Sequence, residues 1–272
     1  MMASYRRAEL LDRLGIGVIV ALAVIALALL LLPAVIVVVM SFDTRGYISF
    51  PPQGFTLDWY YKVFNQPVLV NAMLTSIKVG IYVTLLCIAF GVPTALACVR
   101  GDFRGATALS VFVLIPHMVP GIVLGVAVLF TGALFGIGPS IWLQSITLAT
   151  YVMAVMVRTV MARLQRLDPL LEQASANLGA TRWQTFRTVT LPLLLPAILA
   201  GAVFTFIEGF DNLSVTIFTH GYRDRPLPIE LLAIVQNTNS PLVAAVSSVQ
   251  ILLAMLALGI ISLTIGLDRV NE

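Results

Sequence analysis

Residues 14–40 carry no charged side chain. An apolar helix needs ~20 residues to cross a bilayer, so this run can span one with room to tilt. It is too long for the apolar core of a secretory signal. It also ends in Val-Val-Val-Met rather than a small-residue cleavage site, so it is expected to stay as a first span. Apolar runs with at most two charged residues each recur at 71–99, 106–130, 141–161, 192–218 and 242–267. Charged residues make up only 11% of the chain and hydrophobic ones 59%, against ~25% charged in a soluble domain. The predicted fold class is therefore all-α: a polytopic membrane bundle of six transmembrane helices. No linker or low-complexity tract divides residues 1–272, which read as one domain with a polar segment at 1–13. Cys87 and Cys98 lie inside one apolar run and read as helix packing, not as a disulfide or metal site.

Six spans place both termini on one side, and the basic residues choose which. Arg6, Arg7, Arg13, Arg100, Arg104, Arg158, Arg163, Arg166, Arg182, Arg187 and Arg269 share the side of the N-terminus. Arg45, Lys62, Arg223 and Arg225 lie on the other, with Lys78 near its edge. Both termini are thus expected in the cytoplasm. The outer loop 41–67 holds Phe55, Trp59, Tyr60, Tyr61 and Phe64. These residues suit a short helix at the membrane interface or, equally, a packed aromatic cluster. In the loop 219–241, Leu227-Pro228-Ile229 can start a re-entrant or interfacial piece. Arg223 and Arg225 there face either a docking protein or plain solvent.

The longest polar interruption on the cytoplasmic side is 168–190. Asp168-Pro169 reads as an N-cap followed by a proline at the first helical position. Leu170, Leu171, Ala174 and Leu178 recur at helical spacing and form one stripe. Gly179 supplies the left-handed residue that ends the helix. Thr181 caps a second short helix with Trp183, Phe186 and Val189, and Leu191-Pro192 is expected to open a new, long one. A short amphipathic helix between spans suits a partner's groove.

This stretch resembles the cytoplasmic EAA loop of permease subunits of bacterial ABC importers. That family's pattern is Glu-Ala-Ala, three residues, Gly, nine residues, Ile, one residue, Leu-Pro. The chain matches at Ala174, Gly179, Leu191 and Pro192, with Val189 for the isoleucine. Counted back from Gly179, the family's glutamate falls on Gln173 and its second alanine on Ser175, while Glu172 stands one residue early. The resemblance implies the type I ABC importer permease fold and an ATPase-coupling set of Leu171, Glu172, Gln173, Ala174, Leu178, Gly179, Trp183, Leu191 and Pro192. It also implies a bacterial inner-membrane location and several partners. These are a second homologous permease, two copies of a cytoplasmic ABC ATPase that bind ATP and magnesium, and a periplasmic or extracellular solute-binding protein. A lipid bilayer surrounds the chain, and no nucleic acid is involved.

The chain has no phosphate-binding loop, no His-Glu-x-x-His and no Gly-x-Ser-x-Gly motif. With His117 and His220 as its only histidines, a histidine-based metal site is not expected. The chain is read as binding no cofactor and catalysing nothing itself. A transport path needs polar groups inside the bundle. Glu208 and Asp211, three apart on one helix face, with Asn212, are the first candidates. An acid in a span costs at least ~2.5 kcal/mol unless it faces water, a partner or a cation. The two acids either line a cation-attracting cavity or pair with Arg223 or Arg225 near the outer interface. Pro116 and Pro120 must free carbonyls in mid-span, which survives where backbone faces protein or a cavity. His117 either lines that path or packs against a freed carbonyl.

Three strings narrow the resemblance. Asn71-x-x-x-Thr75-Ser76 is similar to the start of the second span in such permeases. Pro116-x-x-Val119-Pro120-Gly121-Ile122-Val123-Leu124-Gly125 resembles the third span of the polyamine-type branch. Phe210-Asp211-Asn212, with Leu227-Pro228-Ile229, resembles spermidine and putrescine permeases. The resemblance thus implies a polyamine or related cationic solute, with an opine, a phosphonate or ferric iron as alternatives. From another class, a stand-alone secondary transporter would need no ATPase, but internal repeats of that class are not evident. A membrane enzyme is disfavoured by the missing catalytic motifs.

Overall fold

The computed structural model describes residues 2–265, and every regular element among them is a helix. In chain order these are α1 (Met2–Met40), α2 (Asp58–Asn65), α3 (Pro67–Leu86), α4 (Val92–Arg100), α5 (Ala106–Phe112), α6 (Ile115–Met118), α7 (Gly121–Leu134), α8 (Ile141–Arg166), α9 (Pro169–Asn177), α10 (Arg182–Thr185), α11 (Leu191–Asp211), α12 (Leu213–Thr219), α13 (Leu227–Asn237) and α14 (Leu242–Ile265). Among the described residues four uninterrupted helices are long and apolar enough to cross a membrane, and a bent pair supplies a fifth if it counts as one span. Where the sixth span is expected, α14 forms, but its apolar stretch Leu242–Leu256 is shorter than a membrane-crossing helix, and the expected end at Leu267 lies outside the described residues.

Several expected boundaries shift for a physical reason. The second span starts at Pro67 and runs unbroken to Arg100, with a π-helical turn at Cys87–Gly91. The expected break at Leu191-Pro192 does not occur. One helix runs from Arg182 to Asp211 through a second π turn at Phe186–Thr190. Each π turn ends two residues before a proline, Pro93 or Pro192. Proline lacks an N–H, and its ring clashes with the carbonyl four residues back. A widened turn relieves both and lets the helix pass.

The third span, expected as one run over 106–130, extends to Leu134 and bends by 97° between Met118 and Gly121. Val119 precedes Pro120, which pushes it out of the helical region, to φ −79 and ψ 135. The fifth span breaks where none was expected. Asn212 is extended, and its side chain caps α12 by accepting from Val215 N at 3.0 Å.

Among the described residues the chain divides into two compact units. One holds the chain up to Val63 with Thr238–Leu252, the other Phe64–Asn237 with the chain from Leu253 onward. In the first unit α1 leads into a tight loop in which Ser41 and Asp43 are buried. Trp59 Nε1 donates to the Asp43 carbonyl at 2.8 Å, Ser41 Oγ and Tyr60 OH lie 2.6 Å apart, and Phe42 stacks on Phe55 at 4.8 Å. A short helix, α2, and the stack of Phe42 on Phe55 both form here, with Phe55 and Tyr61 left exposed. Hydrogen bonds from the Arg45 guanidinium, 2.7 Å away, hold the Asp43 carboxyl down to about 2.

In the second unit α8 is the central helix. Leu148, Val152, Met156, Val160 and Leu164 recur every fourth residue, so they form one ridge, and all five are fully buried. Val79, Val83 and Cys87 pack onto that ridge from α3 and its π turn, and Leu194 and Ile198 from α11. Hydroxyls on these helices are satisfied internally: Thr84 Oγ1, Ser145 Oγ and Thr147 Oγ1 each donate to the carbonyl four residues back, at 2.8, 2.6 and 2.6 Å. This suits a medium that offers no water.

α3 and α11 cross at a pair of glycines. A Cβ on Gly209 would lie 3.1 Å from Gly80 Cα and 3.0 Å from Val83 Cβ. Backbone cannot move aside, so small residues are required at this crossing. Gly209→Leu is expected to cost at least ~1–3 kcal/mol of overpacking, read as a lower melting temperature of the purified chain in detergent. An unchanged melting temperature would show that the crossing can open. Gly201 differs, because its nearest neighbour is the flexible end of Met156, Sδ at 2.7 Å.

Candidate functional site

The element at 168–190 is built from two capped helices and a turn. Asp168 Oδ1 accepts from Leu170 N at 2.9 Å and starts α9. At its end Gly179 takes φ +86. Gly179 N donates to Ala176 O at 2.9 Å and Ala180 N to Ser175 O at 3.2 Å. This pair of bonds is a Schellman ending, which turns the chain sharply and uses up the last carbonyls. Thr181 then forms a full capping box. Its Oγ1 accepts from Gln184 N at 3.3 Å, and Gln184 Oε1 accepts from Thr181 N at 2.8 Å. Ser175 Oγ and Thr185 Oγ1, 3.0 Å apart, tie α9 to α10.

These caps fix the direction of an apolar patch. Leu178 is 90% exposed, Trp183 66%, and Leu170 and Leu171 are also exposed. Gln173 and Ala174 sit exposed on the same short helix. Leu191 and Pro192 do not join the patch. Leu191 packs against the bundle core, and Pro192 follows the π turn on the continuous helix.

Glu172 turns the other way. Its Oε2 lies 3.2 Å from Arg100 Nε, an ionic contact, since Arg100 Nε makes no directed hydrogen bond. Its Oε1 accepts from Thr190 Oγ1 at 3.0 Å, and Arg100 Nη2 donates to the Leu167 carbonyl at 3.3 Å. Behind α9 a cleft of about 410 Å³ is lined by Arg100, Glu172, Gln173, Arg182, Phe186 and Thr190 among others. Sequence reasoning missed Arg100 and Thr190 as partners of Glu172. Arg100 read only as a topogenic charge in a turn, and no local spacing reports a contact so distant in sequence.

The second polar group lies at the break between α11 and α12. Glu208 is half-buried and Asp211 exposed, both in the last turn of α11. Asn212 Nδ2 donates to Glu208 Oε2 at 3.2 Å while its Oδ1 caps α12. Arg225 pairs with Glu230 at 3.6 Å and lies over Tyr222. The break in the third span packs nearby: a Cβ on Gly121 would lie 3.0 Å from Ser214 Cβ, and one on Gly125 3.0 Å from the Val215 carbonyl. Pro116 is the second residue of α6, and His117 Nδ1 contacts the Tyr151 carbonyl at 3.1 Å. A carbonyl only accepts, so Nδ1 carries the proton. That carbonyl belongs to unbroken α8, not to the backbone freed by the prolines. Among the described residues no three His, Cys, Asp or Glu side chains converge on a metal site.

Residues 87–271 match the family model described as binding-protein-dependent transport system inner membrane component. The chain is 30% identical over 223 residues to the spermidine/putrescine transport system permease protein PotC of Haemophilus influenzae, covering 82% of this chain and 86% of that protein. It is 31% identical over 232 residues to the molybdenum transport system permease protein ModB of Mycobacterium bovis, covering 78% and 87%. The solved structure of a bacterial ABC transporter that imports the acidic polysaccharide alginate superposes with a TM-score of 0.69 at 16% identity, covering 92% of this chain and 96% of that one.

Proposed function

The chain belongs to the family of binding-protein-dependent transport system inner membrane components, and on that premise we propose how it works and what it carries. It is a multi-pass inner-membrane permease of an ATP-driven ABC importer, with the type I importer fold. In the proposed assembly both termini face the cytoplasm, and a second homologous permease completes the solute path. Two copies of a cytoplasmic ATPase bind ATP and magnesium, and a solute-binding protein delivers from outside. This chain itself performs no chemistry.

The observation that carries the coupling proposal is the exposed Leu178 and Trp183 patch on a doubly capped turn. Apolar side chains fixed in water by two caps are suited to a groove on the ATPase. The element leads out of α8 at Leu167 and runs into α11 without a loop. A pull on it is therefore delivered to two central helices directly. Co-purification from cells expressing the whole operon tests this: an ATPase should come with the chain, and its absence would favour a carrier working alone.

The solute proposed is a polyamine or similar cation. A helix C-terminus already carries partial negative charge, and Glu208 and Asp211 add two carboxylates to that end of α11. A cation relieves the potential they create. PotC, by name a spermidine/putrescine permease, agrees with this; ModB favours a molybdenum oxyanion as a second candidate. Labelled spermidine uptake competed by putrescine but not molybdate is the expected result, and the reverse pattern selects the oxyanion. Asp211→Asn and Glu208→Gln should each weaken half-saturation by roughly tenfold, the scale of one lost charge-assisted hydrogen bond. Unchanged uptake kinetics would return both acids to a structural role.

A further inference from the structure

We infer that Glu172 is a positioning residue that ties the coupling helices to the inner ends of the second, fourth and fifth spans, so that a pull on α9 moves the three together. The inference rests on the proposed seating of the ATPase against the Leu178 and Trp183 patch. Each Glu172 oxygen takes a different partner: Oε2 the Arg100 guanidinium at the end of α4, Oε1 the Thr190 hydroxyl at the end of the second π turn. Arg100 extends the tie to the Leu167 carbonyl, which closes α8. A carboxylate accepts only, so it takes the Thr190 hydroxyl as a hydrogen-bond donor and the Arg100 guanidinium as an ionic partner in one arrangement.

The location decides what such a pin does. Glu172 and Arg100 side chains are each 27% exposed, so water competes and the pair adds little to stability. Its effect is on register. α9 is already joined to α8 and, through α10, to α11 by covalent backbone. α4 has no such link, since Gly101 to Gly105 and the whole third span intervene before α8. The Arg100–Glu172 contact supplies the missing tie between the second span and the element that receives force. The adjoining cleft leaves α9 room to tilt if that tie is cut.

The test uses the whole complex, expressed from its operon and reconstituted in liposomes, and reads solute taken up per ATP hydrolysed. Glu172→Gln keeps an acceptor for Thr190 but loses the charge, and the ratio should fall at least threefold. Arg100→Glu should do the same, and the swapped pair R100E/E172R, which restores the ion pair but neither the Thr190 nor the Leu167 hydrogen bond, should recover part of the wild-type ratio. A purely stabilising ion pair would lower yield or melting temperature without moving this ratio. A Glu172→Gln ratio equal to wild type, or a swap no better than R100E alone, overturns the inference. A second readout needs no transport: spin labels on Arg104→Cys and Asn177→Cys in the complex, with Cys87 and Cys98 replaced by alanine. Glu172→Gln should broaden their distance distribution at least twofold and the swap should narrow it again; equal widths overturn the inference. If the wild-type complex moves no solute, the functional proposal fails, while the distances still decide the role of Glu172.

Discussion

Gly179→Val is expected to leave the chain folded in the membrane and to remove at least ~90% of uptake, with ATP hydrolysis continuing uncoupled. The effect is conformational rather than steric. Nothing lies within 4 Å of the position a Cβ would occupy, yet Gly179 holds φ +86. A side chain in the left-handed region costs roughly 1–2 kcal/mol, and a β-branched one more. That is a factor of about 5–30 in the population of the turn. The turn holds no core residue, so its loss does not unfold the bundle. It does set the direction of Leu178, which stands one residue before it. Gly179→Asn provides the control, because asparagine tolerates the same region while adding comparable bulk, and it should keep most of the uptake. Wild-type transport by Gly179→Val at normal expression, or equal losses in both variants, would sink the conformational account.

The caps of this element were legible in the sequence because they are local. Asp168, Gly179 and Thr181 act on atoms within a few residues, and the residue types that can do so are few. Four of the expected spans were legible because the length of an apolar run is itself the signal. What stayed hidden depended on how a helix treats a proline. Pro192 read as a helix start, but a π turn carries the helix through it, and no spacing in the sequence announces a π turn. Pro116 and Pro120 were expected to interrupt one span, and the 97° bend exceeds an interruption because Val119 leaves the helical region entirely. Asn212 read as a polar group for the path, yet its side chain also caps a new helix, since asparagine within an apolar run competes with the backbone. The Glu172 contacts were beyond reach for another reason. They join helices far apart in sequence, and such contacts follow from packing alone.

Leu178→Asp is expected to abolish recovery of the ATPase with the permease while leaving the permease's own melting temperature unchanged. The side chain is 90% exposed, so the fold gives up no contact, and an exposed substitution shifts stability by about ±0.5 kcal/mol. In the complex the same side chain would be buried. Losing that burial forfeits ~1.5–3 kcal/mol, and enclosing a carboxylate in its place adds a desolvation penalty. Three kcal/mol or more corresponds to a loss of over ~100-fold in affinity. Trp183→Ala, which removes area without adding charge, should weaken recovery less than Leu178→Asp does. The order matters more than either value. A groove that closes over both residues must punish the charge most, whereas a surface that touches the membrane or nothing at all would rank them by size or not at all. Full recovery of the ATPase with Leu178→Asp would place the docking face elsewhere on the inner side, and the Schellman turn would then have to be explained without it.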